Sequence, residues 1–223
     1  MDGKCGIMDN ILLADIGNTH FHVYDGKNVE HLSYDDAIKK YANVEMLYIS
    51  VKHTLSENIK HIKTWTNISS SLYIKGEYDT MGVDRKALCL SYDEGIYVDV
   101  GSAITVDVVE KGEYKGGFIL PGIRASLKSY GSISSVLDVS LEEALDISSL
   151  PYTTKEQISY GIIASIKALI DMHSQDKKLY FTGGDGKFLS TFFDDAVYDE
   201  TLVFQGMQKA LKIKSTNDEN NQG

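Results

Sequence analysis

The chain has 223 residues, 43% of them hydrophobic and 24% charged, with a formal net charge of −10; that is enough for one large or two small domains with a real core. The acidic balance excludes a general nucleic-acid or anionic-membrane surface, because nothing supplies the positive field that phosphate backbones require. The longest apolar stretch, around Gly161 to Ile170, is broken by Lys167 and falls short of the roughly 18 to 20 residues a membrane span needs, and the opening MDGKCGIMDN has no apolar h-region, so a cytoplasmic protein with small-molecule partners is expected.

From the N-terminus, Ile11 to Asp15 reads as an apolar strand. His20 to Tyr24 alternates around Phe21 and Val23, and Asp25-Gly26 turns the chain into a third strand near Asn28 to Leu32. Tyr34, Ala37, Ile38 and Tyr41 fall at helical spacing, and Met46 to Val51 reads as a buried strand. A helix carrying Leu55, Ile59 and Ile62 opens with the capping box Thr54-x-x-Glu57. A strand at Leu72 to Lys75 and a helix from about Gly82 to Tyr92 complete the order βββαβαβα. Cys5 and Cys89 offer neither ligand spacing nor a disulfide framework, and Cys89, in an apolar helical stretch, is expected to be packed.

From residue 95 the pattern starts again. Ile96 to Val100, Ala103 to Glu110 and Tyr114 to Leu120 form a second meander, followed by helices near Ile123 to Leu137 and Thr154 to His173. The second helix shows a capping box Thr154-x-x-Gln157 and an apolar stripe of Ile158, Ile162, Ile166 and Leu169. A strand at Lys178 to Thr182, the turn Gly183 to Gly186, a helix near Lys187 to Phe193, a strand at Ala196 to Tyr198 and a helix near Thr201 to Ile213 close the copy. The expected domains are therefore 9–93 and 94–214, with 215–223 a disordered tail, since it has no apolar content.

The same phrase ends the first strand of each copy: DIGNT at 15–19 and DVGSA at 99–103. A buried strand ending in Asp, then a Gly that lets backbone approach a ligand, then hydroxyl or amide side chains, presents clustered donors suited to phosphate. An acidic protein can bind a nucleotide this way, its two aspartates holding the accompanying cations. One such turn would read as a plain hairpin; two at equivalent positions favour the phosphate loop.

Four stretches in order then resemble the type III pantothenate kinases, within the superfamily of actin, sugar kinases and heat-shock chaperones. They are Asp15 to Thr19, Gly82-Val83-Asp84-Arg85, Asp99 to Asp107, and Gly116 to Gly122, with a weaker TGGD at 182–185. The resemblance implies an α/β fold of two ribonuclease H-like βββαβαβα domains with the active site in the cleft between them. It also implies transfer of the ATP γ-phosphate to the primary hydroxyl of pantothenate, the first step of coenzyme A synthesis.

By the same resemblance Asp15, Ile16, Gly17, Asn18, Thr19, His20, Phe21 and His22 form the first ATP loop, with Ser102, Gly183 and Gly184 also ATP contacts. Asp99 matches the position that holds a monovalent cation, potassium or ammonium, and Mg²⁺ comes with ATP. Asp84 resembles the general base and Arg85 the partner of the pantothenate carboxylate; Gly82, Val83, Tyr78 and Thr154 lie on the substrate side. A homodimer is implied.

The chemistry of these residue types agrees, since phosphoryl transfer needs positioning, charge neutralisation and a carboxylate near the attacking hydroxyl. An Arg fork matches a carboxylate with two parallel hydrogen bonds. His20 and His22, at i and i+2 without a third ligand, read as polar strand residues and not as a zinc pair. Where many family members carry Lys this chain has His22, whose protonated form would favour ATP below the usual His range if it faced phosphate. Ser102-Ala103 stands for the more usual Thr-Ala, and the chain is shorter than most members. The alternatives are another kinase or phosphohydrolase of the superfamily, or a non-catalytic nucleotide-binding regulator.

Overall fold

The computed structural model describes residues 11–17, 20–51 and 59–220. In the first sheet, β1 (Leu12–Ile16) pairs antiparallel with β2 (Phe21–Tyr24), which pairs with β3 (Val29–Leu32). On its other side β1 runs parallel to β4 (Met46–Ser50), which is followed by β5 (Trp65–Asn67). The second sheet holds β6 (Gly95–Val100), β7 (Ala103–Glu110), β8 (Glu113–Pro121), β9 (Leu179–Thr182) and β10 (Val197–Tyr198). The strand orders are β3-β2-β1-β4-β5 and β8-β7-β6-β9-β10. They correspond strand for strand, so the repeated sequence pattern is a repeated topology.

Outer strands alternate with period 2, as β2 does, whereas the central β6 is buried on both faces. In the first sheet, Ala14, Ile16, Phe21, Val23, Met46 and Tyr48 share a core with Ala37 of helix α1 (Tyr34–Tyr41), Ile59, Ile62 and Trp65. In the second, Ile96, Val98, Val100, Ile104, Val106 and Phe181 pack with Ile158, Ile162, Ile163, Ile166 and Ile170 of a 21-residue helix. Helix α2 (Val83–Leu90) lies in the first unit and α3 (Ile123–Ile133) in the second. The long one is α4 (Thr154–Ser174), followed by α5 (Gly186–Ser190) and α6 (Leu202–Asn220). Cys89 is buried in α2. No helix among the described residues is long and apolar enough to cross a membrane.

Four sequence expectations change. The strand expected at Leu72 to Lys75 is instead β5, seven residues earlier, because Trp65 fixes it: its Nε1 donates to Tyr41 O at 2.9 Å and its ring packs 5.5 Å from Phe21. Leu72 and Ile74 are buried, but Ile74 opens a turn closed by the Glu77 N–H donating to its carbonyl at 3.1 Å. The capping box Thr54 and Glu57 lies outside the described residues. Helix α4 is capped one residue earlier than expected: extended Thr153 accepts from Glu156 N at 3.3 Å, and Glu156 Oε2 accepts from Thr153 N at 3.2 Å. A carboxylate closes that reciprocal box better than the amide of Gln157 would.

The last two corrections concern the C-terminal helix. The chain divides into two compact units, Glu94–Glu200 and the remainder, so α6 belongs with the first sheet and not with the expected 94–214 domain. The cause is local packing. Leu202, Val203, Phe204, Met207 and Ala210 are buried, and the Phe204 ring stacks 5.2 Å from Tyr24. A Cβ at Gly206 would lie 1.7 Å from the Ala87 carbonyl oxygen, so only glycine admits this helix crossing. Helix α6 also runs to Asn220, through most of the expected disordered tail; no Gly or Pro interrupts 207–220, so hydrogen bonding propagates from the packed turns.

Candidate active site

In the first unit, Asp15 lies one residue before the end of β1, with Gly17 just beyond it. Gly17 N donates to His20 O at 3.1 Å, closing the loop, while the Tyr34 hydroxyl donates to the Gly17 carbonyl. Burial, and then the Asp15 charge, raise the Tyr34 phenol above its ordinary range, so it stays a donor. Asn18 and Thr19 lie outside the described residues. Ile16 and Phe21 are fully buried, which leaves only their backbone to face a ligand. The Ile16 carbonyl accepts from Val51 N at 3.4 Å and Ser50 Oγ at 3.5 Å.

His22 stands directly across the ladder from Asp15 and, on its other side, from His31. Its Nδ1 is 2.6 Å from His31 Nδ1. Burial, followed by the His31 and His20 charges, lowers its pKa to about 4. His22 is therefore neutral near pH 7, which corrects the expectation of a protonated imidazole favouring ATP in the usual His range. His22 lies in β2, whereas His20 precedes the strand and does not belong to it as the sequence suggested.

The Gly82-Val83-Asp84-Arg85 tetrad builds the start of α2, with Gly82 as its N-cap and Asp84 in its first turn. Asp84 Oδ1 accepts from Arg85 N at 2.8 Å, which sets the carboxylate over the positive end of the helix. A Cβ at Gly82 would come 2.5 Å from that oxygen and 4.0 Å from Val51 Cγ1. Val51 thus lies beside the start of α2 while its N–H binds the end of β1, next to both the Asp84 turn and the Asp15 loop. Arg85 is only 7% exposed. Its Nη1 donates to the Tyr78 hydroxyl at 2.6 Å, and the guanidinium carbon lies 5.9 Å from the centre of the Tyr78 ring.

In the second unit, Asp99, Ser102, Gly183 and Gly184 gather at one end of the sheet. Gly101 N donates to Ala103 O at 3.0 Å, Gly122 N to Ser102 O at 3.1 Å and Asp185 N to Val100 O at 3.0 Å. Gly183 adopts φ of +85°, and a Cβ there would be 2.4 Å from Asp99 Oδ1, so glycine is required on both counts. Gly184 faces open space. Asp99 has Thr105 across one ladder and Thr182 across the other, and Thr105 Oγ1 is buried with no hydrogen-bond partner among the described residues. Arg124 Nη2 approaches Asp185 at 3.8 Å. Thr154 is the exposed first residue of α4.

Sequence reasoning missed Tyr34, Val51, Thr105 and Arg124. Tyr34 and Val51 each fit an apolar pattern, and their polar contacts are made across the chain.

Known proteins resemble this chain over most of its length. A family model described as type III pantothenate kinase matches residues 33–176. The type III pantothenate kinase of Helicobacter hepaticus is 42% identical over 204 residues, covering 91% of this chain and 98% of that one. The chain belongs to the type III pantothenate kinase family. Against a solved Campylobacter jejuni structure, described as a conserved putative Baf family transcriptional activator, the kinase gives a TM-score of 0.84 at 37% identity, covering 92% of this chain and all of the other. The activator of 2-hydroxyisocaproyl-CoA dehydratase from Clostridium difficile, with bound ADPNP, shares the fold at a TM-score of 0.54 and 10% identity, covering 94% and 97%. The near-complete coverage of the Helicobacter relative shows that the kinase's short chain is shared with it.

Proposed function

We propose that the protein transfers the γ-phosphate of ATP to the primary hydroxyl of pantothenate, giving 4'-phosphopantothenate and committing pantothenate to coenzyme A synthesis. The observation that carries this reading is the turn at Gly82 to Arg85. It sets a carboxylate at a helix start beside a buried guanidinium, in a chain of this family. Asp84 is the general base toward the attacking hydroxyl, and Arg85 with Tyr78 receives the pantothenate carboxylate, Gly82, Val83 and Thr154 completing the substrate side. The loop from Asp15 to His22, with Ser102, Gly183 and Gly184, contacts ATP and its Mg²⁺; backbone N–H groups supply donors where the acidic composition supplies few cations.

Asp99 holds the monovalent cation. The donor set fits one: around it stand the Thr105 hydroxyl and the backbone of Val100, oxygen ligands that suit a hard cation, and Gly183 leaves room where a side chain would intrude. When bound, the cation offsets negative charge near the nucleotide phosphates. A coupled ADP-release assay tests both statements. Turnover is expected with pantothenate and ATP only when Mg²⁺ is present, and it rises steeply when potassium or ammonium replaces Tris as the monovalent cation. No ADP release with pantothenate in potassium would remove the functional reading, and full activity in Tris alone would remove the role of Asp99.

The protein is also read as a cytoplasmic homodimer. Ile133, Val136, Leu150 and Tyr152 in the second unit are 73%, 75%, 74% and 97% exposed, the kind of surface that association covers. Light scattering of the purified protein is expected to give twice the chain mass, and a monomer at micromolar concentration would refute the dimer.

A further inference from the structure

We propose that Glu77 is a positioning residue for pantothenate recognition, holding Tyr78 and through it Arg85 in the geometry that meets the substrate carboxylate. Two consecutive turns lead into the tetrad. In the first the Glu77 N–H donates to Ile74 O at 3.1 Å, and in the second the Met81 N–H donates to Tyr78 O at 2.9 Å. Tyr78 sits at their junction.

The Glu77 carboxylate fixes the first turn from both sides. Oε2 accepts from the Ile74 N–H at 2.9 Å, closing the turn a second time, and Oε1 accepts from Lys86 Nζ at 2.6 Å. Lys86 is the residue after Arg85 on α2. The two side chains are only 16% and 19% exposed, so the pair is less screened than a surface ion pair. Two successive residues of α2 therefore grip the loop: Lys86 holds Glu77, and Arg85 holds the Tyr78 hydroxyl. Ile74, 2% exposed, roots the turn in the core. The Glu77 carboxylate bonds the Ile74 N–H and Lys86, neither of them a group proposed for phosphoryl transfer, so its effect should fall on carboxylate recognition.

This inference rests on the reading of Arg85 as the carboxylate partner, and steady-state kinetics separates the two. Glu77→Gln keeps an oxygen for the Ile74 N–H but removes the ion pair; Lys86→Met removes it from the other side. Each is expected to raise the pantothenate KM about 5- to 20-fold, with kcat within about twofold and the ATP KM unchanged, because binding geometry is lost and the reacting groups are not. The double variant should be no worse than either single one, as for two members of one interaction. Lys86→Arg, which can keep the pair, should stay near the wild-type KM. With pantothenol, the alcohol analogue without a carboxylate, the Glu77→Gln effect should vanish.

A wild-type pantothenate KM in Glu77→Gln or Lys86→Met overturns the inference, as do parallel losses in kcat and the ATP KM, which would mark a merely structural pair. If instead wild-type enzyme handles pantothenate and pantothenol equally, the role of Arg85 fails first. Should Glu77→Gln not fold, the comparison of Lys86→Met with Lys86→Arg decides the same question.

Discussion

Asp84→Asn is expected to lower kcat by about 10²- to 10⁴-fold while nucleotide binding stays close to wild type, because in the proposed mechanism it removes proton acceptance from the pantothenate hydroxyl. The substitution is unusually clean in this setting. Asp84 Oδ1 accepts the Arg85 N–H at 2.8 Å at the start of α2, and an asparagine oxygen can accept the same bond, so the helix start and the Arg85 direction survive. Val51, between the Asp15 loop and this turn, makes contacts with backbone and with the Gly82 position, and the substitution changes neither. Single-turnover kinetics at saturating ATP, with nucleotide affinity measured by titration, gives the comparison. A variant with wild-type kcat would rule Asp84 out as the base; one that lost nucleotide affinity and kcat together would place the carboxylate with the phosphates.

The repeated fold was legible because the outer strands β2 and β8 alternate in burial while the central β6 is a near-continuous apolar run, and both patterns are written into the chain. The loops were legible because glycine is forced at them: Gly183 needs positive φ and closeness to Asp99, and such demands leave few residues to choose from. The placement of α6 was not legible. Its apolar stripe would suit either unit, and only the clash that a side chain at Gly206 would make with Ala87 identifies the surface it crosses. The same holds for β5. Residues 65–67 look polar apart from Trp65, and the strand exists because that one indole reaches Tyr41 and Phe21, contacts some twenty and forty residues away in sequence. At the candidate site, Asp84 and Arg85 stand out by their motif, but the neutral state of His22 comes first from its burial and then from His31 across the ladder. A one-dimensional pattern carries the period of a strand and not its partner.

Pantothenol and pantetheine-like amides, which keep the reactive hydroxyl but lack the carboxylate, are expected to lose about 2 to 5 kcal/mol in kcat/KM relative to pantothenate, the range for removing one member of a buried charged pair. The size follows from what surrounds Arg85. It is 7% exposed, and a guanidinium that far from water gains most when an anion completes its environment. The Tyr78 hydroxyl takes one N–H, on Nη1, at 2.6 Å. The planar fork matches a carboxylate with two parallel hydrogen bonds, a geometry the ammonium of Lys cannot reproduce. Arg85→Lys should therefore raise the pantothenate KM more than it lowers kcat: a point charge keeps the attraction but cannot hold Tyr78 and grip both carboxylate oxygens in one plane. The two perturbations address the same contact from opposite ends, so their effects should not add. Pantothenol should be handled almost as well by Arg85→Lys as by the wild type. Comparable kcat/KM for pantothenate and pantothenol on the wild-type enzyme would take the carboxylate away from Arg85, and the buried guanidinium would then be a structural partner of Tyr78.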